Sequence, residues 1–231
     1  MKRLLTVITA LTAALFTSEA ASDELKSVLK DLDSHIENSH IYVQQKQERI
    51  DQLRQKLEGA TCSETYDINY GLFEEYQSFR YDSAYFYANR SLELAGQMND
   101  QDKMVRSRCA VVFCYMSSGL FLEAFDEMKK VDARNASLQV KKEYYSLYNR
   151  LYYDASDFND TENWSAEYTR LGTLYADSLM SIVPKESYDY IFAVAQSEIK
   201  HWHYSQCIDF YKQLLDEHTV SDHNKAIINS S

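Results

Sequence analysis

At 231 residues the chain is long enough for one good-sized domain or one long repeat array, and its 45% of hydrophobic residues supplies a core, which excludes a disordered polymer. One proline and five glycines are too few for an all-β fold or for the Gly-rich loops of a nucleotide-binding α/β fold, so an all-α chain of long helices with short connections is expected. A formal net charge of −11 repels phosphate backbones and anionic lipid surfaces, so nucleic acid is not expected as a partner of this segment.

Residues 1–20 read as a secretory signal. Lys2 and Arg3 form a basic start, residues 4–16 are apolar but short for a bilayer span, and Ser18-Glu19-Ala20 has the small-x-small form of a cleavage site. The expectation is an exported, periplasmic or extracytoplasmic protein; an uncleaved anchor helix is the alternative. Residues 21–60 then form a second segment with one long helix over 23–58. Ser22 is its N-cap, with Asp23 and Glu24 in the first turn, and Gly59 stands as its C′ residue. Leu29, Ile36, Val43, Ile50 and Leu57 recur every seven residues, and Leu25, Leu32 and Leu53 fill the other seam position, which Ser39 and Lys46 interrupt. Two readings stand: a helix that caps its own repeats, or a coiled coil with a second copy. Asn38-Ser39-His40 is a candidate kink.

Residues 61–231 fall into helix pairs. Thr61-Cys62-Ser63-Glu64 fits a capping box that starts the first of them. The pairs are expected at 64–79 and 81–97, ended by Gly96 and the polar run Asn99-Asp100-Gln101-Asp102; at 102–118 and 121–131, with Gly119 at the corner; at 138–156 and 164–182; and at 185–201 and 203–217, with Pro184 as a first-turn proline. Tyr81, Phe121 and Tyr204 each open a second helix, and a small residue follows three later: Ala84, Ala124, Cys207. The aromatics lie 40 and then 83 residues apart, one and two periods of a repeat near 40. A close helix crossing needs the small residue, and each hairpin leaves an apolar face that only a stacked neighbour covers.

The spacing of Tyr115, Gly119, Phe121 and Ala124 resembles the tetratricopeptide (TPR) signature, which implies a TPR-like α-solenoid of helical hairpins preceded by one long helix. The period near 40 exceeds the usual unit, and Phe79 and Trp202 stand where a corner glycine is expected. The stretches IYVQQKQERIDQLRQKL, LFEEYQSFRYDSAYFYANRSLELA and CYMSSGLFLEAFDEMKKVD resemble a family of exported Bacteroidetes helical-repeat proteins whose C-terminal half is a domain of unknown function. Its members carry an extracytoplasmic repeat region, a transmembrane helix and a cytoplasmic DNA-binding segment. The resemblance implies the sensing half of a membrane-anchored transcriptional regulator. On that reading the chain is an N-terminal portion, touching a membrane only through a C-terminal part beyond it, and residues 223–228 begin a fifth pair.

No G-x-S-x-G, H-E-x-x-H, C-x-x-C or phosphate-cradling glycine loop occurs, so no enzyme, cofactor or metal is expected. His201, His203 and Cys207 lack a further close ligand for zinc, and Glu74/Glu75 and Glu123/Glu127 read as solvated helix faces. The four cysteines are too sparse for a disulfide scaffold, though a Cys114–Cys207 or Cys62–Cys109 bridge stays open. The compositional excess is tyrosine, 19 in all. Tyr144, Tyr148 and Tyr152 share one stripe, either as packing between helices or as the wall of a binding groove. The groove candidates are Tyr70, Arg108, Tyr115, Tyr148, Asn149 and Tyr152, with Arg150 as a further polar partner. The expected partner is a protein or a basic or neutral peptide, with a carbohydrate or a homodimer as further candidates; a structural assembly scaffold that dimerises through residues 23–58 and a fragment of a glycan-capture outer-membrane protein are the alternative functions.

Overall fold

A computed structural model describes residues 25–159, 161–217 and 220–230. The leader and its cleavage site, and the Ser22 cap, lie outside the described residues. The chain forms two compact units, Met1–Gln52 and Leu53–Ser231.

In the first unit residues 25–37 form helix α1, and α2 (Ser39–Gln55) begins two residues later. The single helix expected over 23–58 is therefore broken, at the first residue of the candidate kink. Asn38 causes the break: its side-chain amide donates to the Ser34 carbonyl at 2.8 Å, and the Ile41 N–H returns to the Asn38 carbonyl at 2.9 Å. A side chain that competes for a helical carbonyl bends the helix. Past Gln55 the chain turns, and Gly59 takes the left-handed conformation (φ +78°) expected of a C′ residue.

The second unit is a row of helical hairpins: α3 (Cys62–Tyr76) with α4 (Tyr81–Met98), α5 (Gln101–Ser117) with α6 (Phe121–Met128), α7 (Leu138–Phe158) with α8 (Glu162–Ile182), and α9 (Tyr188–Lys200) with α10 (Tyr204–Glu217). Helix α11 (Asp222–Ser230) follows. Each hairpin packs on the next through α4 on α5, α5 on α7, and α8 on α9. The fold is all-α and TPR-like, as the repeat predicts.

The caps explain the boundaries. Thr61 Oγ1 accepts from the Glu64 N–H at 3.3 Å while the Glu64 carboxylate accepts from the Thr61 N–H at 2.8 Å, closing the box. Asp100, Ser137 and Ser187 cap α5, α7 and α9 in the same way, each accepting from the N–H three residues on. One boundary differs from expectation. Pro184 lies outside α9: its carbonyl accepts from the Ser187 N–H at 3.0 Å, and this turn sets Ser187 as the cap. Gly96 lies inside α4, which runs to Met98 and ends where the polar run begins, with Asn99 in the left-handed region (φ +52°), a conformation asparagine tolerates.

Tyr81, Phe121 and Tyr204 are the first residues of α4, α6 and α10, and Ala84, Ala124 and Cys207 are buried at the crossings. Around Ala124 the core gathers Val112, Met116, Met128 and Leu151. The α7–α8 hairpin is drawn together at Gly172, where the Tyr153 ring occupies the space a Cβ would need, 2.4 Å from its ideal position. Among the described residues no helix is long and apolar enough to cross a membrane.

Candidate functional site

The first helices of successive hairpins present one face to a common groove of about 650 Å³. On α7 the lining residues are Ser146, Asn149, Arg150, Tyr153 and Asp154, spaced at i, i+3, i+4, i+7 and i+8. On α9 they are Asp189, Phe192, Ala193 and Gln196, at i, i+3, i+4 and i+7, and α5 adds Phe113 and Ser117. Each set is one side of an α-helix, so the groove follows from helical periodicity once the hairpins stack side by side.

Its side chains are held in place by bonds beneath them. The Arg150 guanidinium lies 5.3 Å from the centre of the Phe113 ring and donates to Asp154 at 3.3 Å. Burial pushes the Asp154 carboxyl above its ordinary range, and Arg150 opposes the shift. Asn149 is buried and donates to the Gly172 carbonyl at 3.0 Å. The Tyr153 hydroxyl meets Thr173 Oγ1 at 3.2 Å, and Lys200 sits 5.2 Å from the ring centre. Lys142 of α7 and Asp189 of α9 pair at 2.8 Å. Towards α3, Arg106 ties three first helices together: it lies over the Tyr70 ring at 4.3 Å, donates to Glu143 at 2.8 Å, and reaches Glu74 at 3.8 Å. The groove thus offers aromatic faces, amides, hydroxyls and cation–carboxylate pairs on rigid helices, the equipment of a recognition surface.

The six sequence-predicted residues are not brought together. Asn149 lines the groove, as does Arg150. Tyr70 stacks beside Tyr66 under Arg106, and burial pushes its phenol upward. Arg108 pairs with Glu127 of α6. The Tyr115 hydroxyl meets that of Tyr85 on α4 at 2.7 Å, which with burial pushes it up to about 12. Tyr148 is buried and donates to the Met128 carbonyl at 2.8 Å, while Tyr152 stacks on Tyr175 with centres 5.7 Å apart and lies 5.2 Å from Phe125. The tyrosine stripe is packing between α6, α7 and α8. The groove stripe lies two residues further round α7, and its signal was the polar i, i+3, i+4 run from Ser146 to Asp154.

A second concavity of about 710 Å³ is an open shelf between α8 and the α9–α10 corner, edged by Trp202. Among the described residues no three potential ligands gather for a metal. His203 pairs with Glu198 at 2.6 Å. The four cysteines are free thiols; Cys109 and Cys114 are buried and pushed up to about 12, which leaves them unreactive.

The protein family described as "SusR N-terminal TPR domain" matches residues 36–231. The chain belongs to this family. Comparison with curated proteins and with solved structures finds no match. Repeats of the TPR type are in general scaffolds for protein contact, and stacking them creates an extended concave surface for that purpose. In this TPR domain the first helices α5, α7 and α9 line the groove.

Proposed function

We propose that this chain is the non-catalytic, extracytoplasmic sensing module of a membrane-anchored regulator, and that the groove on α5, α7 and α9 takes a segment of a partner protein. The observation that carries the reading is the shared face. Three first helices, each with its own i, i+3, i+4 spacing or part of it, line one concavity with both ring faces and hydrogen-bonding groups. Phe113 and Phe192 supply rigid apolar anchors for side chains of the segment. Ser117 and Ser146 supply its backbone partners. Asp154, Asp189 and the net charge of −11 favour a basic or neutral segment over an acidic one. The leader-like residues 1–20 and the resemblance to exported regulators support placement outside the cytoplasm.

Two measurements test it. Displayed peptides are selected against the protein and the winners titrated calorimetrically against the parent and a Phe113→Ser, Arg150→Ala variant. Basic or neutral peptides should emerge and bind the variant at least about tenfold more weakly, a change of about 1.4 kcal/mol. If no peptide is selected while neutral oligosaccharides bind with the same sensitivity to the variant, the ligand is a carbohydrate and the protein-segment reading fails. Cell fractionation with a reporter fused after residue 231 tests export; a cytoplasmic reporter overturns the location.

A further inference from the structure

The first unit carries a feature that neither the groove nor the repeats use. Leu25, Leu29, Leu32, Ile36 and Val43 are 59%, 49%, 51%, 60% and 68% exposed, so aliphatic residues at heptad spacing on α1 and the start of α2 are in contact with water. Soluble proteins seldom leave such a set uncovered. We propose that residues 25–43 form one strand of a parallel two-stranded coiled coil with a second copy of this chain.

The spacing and the identities of the seam residues point to that occupant. The set repeats every seven residues, a period of 3.5, which keeps a seam straight only against another helix winding with it. Of the three a positions, Leu29, Ile36 and Val43, the last two are β-branched, and Leu25 and Leu32 stand at d. That division, β-branched at a and leucine at d, favours two parallel strands over higher assemblies. A two-fold pair is self-complementary, so one sequence suffices for both strands. Ser39 at d is a polar seam position of the kind that fixes register, and in-register pairing sets the two Asn38 breaks at the same level. The polar face argues against a lipid surface: Lys26 and Lys30 are countered by Asp31, Asp33 and Glu37, whereas a helix lying on anionic lipid is rich in basic residues.

Light scattering with size-exclusion chromatography across a range of concentrations tests the pairing, on the parent and on a Leu32→Glu, Ile36→Glu variant. Both positions are exposed in the single chain, so the variant should keep the thermal melt and helical signal of the parent diluted to its monomer. The expected result is a parent dimer that dissociates on dilution and a variant that is monomeric throughout. A parent that stays monomeric, or a variant that still dimerises, overturns the proposal. Orientation is read separately in a Cys62→Ser background, which removes the exposed native thiol. Ser39→Cys there should form an interchain disulfide under mild oxidation, the thiols being oxidised by an added disulfide such as oxidised glutathione. A dimer that does not cross-link at this position overturns the parallel register.

Discussion

Gly172→Ala separates a close helix crossing from an ordinary helical glycine. In an exposed helix the change stabilises by about 1 kcal/mol, because alanine loses less backbone freedom on folding. At Gly172 the added Cβ lands 2.4 and 2.6 Å from two carbons of the Tyr153 ring, so the ring must shift by roughly 1 Å to reach ordinary contact. It has little room to do so: Tyr153 is 3% exposed and its hydroxyl is tied to Thr173. Overpacking of this kind costs about 1–3 kcal/mol, and movement of α8 also strains the bond from Asn149 to the Gly172 carbonyl. With the propensity gain subtracted, the net expectation is a loss of about 0–2 kcal/mol in urea unfolding. Adding Tyr153→Ala should remove the clash, so Gly172→Ala in that background recovers its stabilising sign. A variant that raises the urea midpoint on its own refutes the close approach of α7 and α8, and with it the position of Tyr153 in the groove.

Three further outcomes are expected. Ala124 is fully buried, and Ala124→Leu should overpack the α5–α6 crossing by about 1–3 kcal/mol in thermal melting, whereas no loss would remove the repeat register. Trp202 adopts φ +64° while 78% exposed, at the corner where Gly119 adopts φ +74° in the second hairpin, so Trp202→Gly should stabilise by about 0.5–1 kcal/mol; destabilisation would show that the indole packs. Asp154 has its carboxyl pushed up by burial, so its contribution favours folding below the unfolded value and is lost as pH rises through the folded one. Asp154→Asn should therefore be more stable than the parent at pH 7, with the difference closing below about pH 4; an Asn variant less stable at neutral pH contradicts this.

The hairpins were legible because their signals are local. A capping box at Thr61, aromatics that open second helices and small residues three later all act within one or two turns. The turn at Pro184 was misplaced for an equally local reason: side chains and carbonyls compete for the same N–H groups, and spacing alone does not name the winner. The groove was less legible. Tyrosines 144, 148 and 152 form the most visible stripe on α7, yet α6 and α8 cover it. The opposite stripe, Ser146 to Asp154, is polar enough to pass for solvent-facing surface. It becomes a groove only when α5 and α9 stand beside it, which is a property of the stack. Gly172 carries no sequence signal either, since its meaning depends on the Tyr153 ring of the facing helix.

Hydrogen exchange on the protein with and without a selected peptide tests the central claim most directly. A segment seated on the first helices should slow exchange in α5, α7 and α9 around Phe113, Arg150 and Phe192, and the slowing should vanish in the Phe113→Ser, Arg150→Ala variant. Protection confined to the Trp202 shelf, or spread along α1, would contradict the groove as the binding site of this TPR domain.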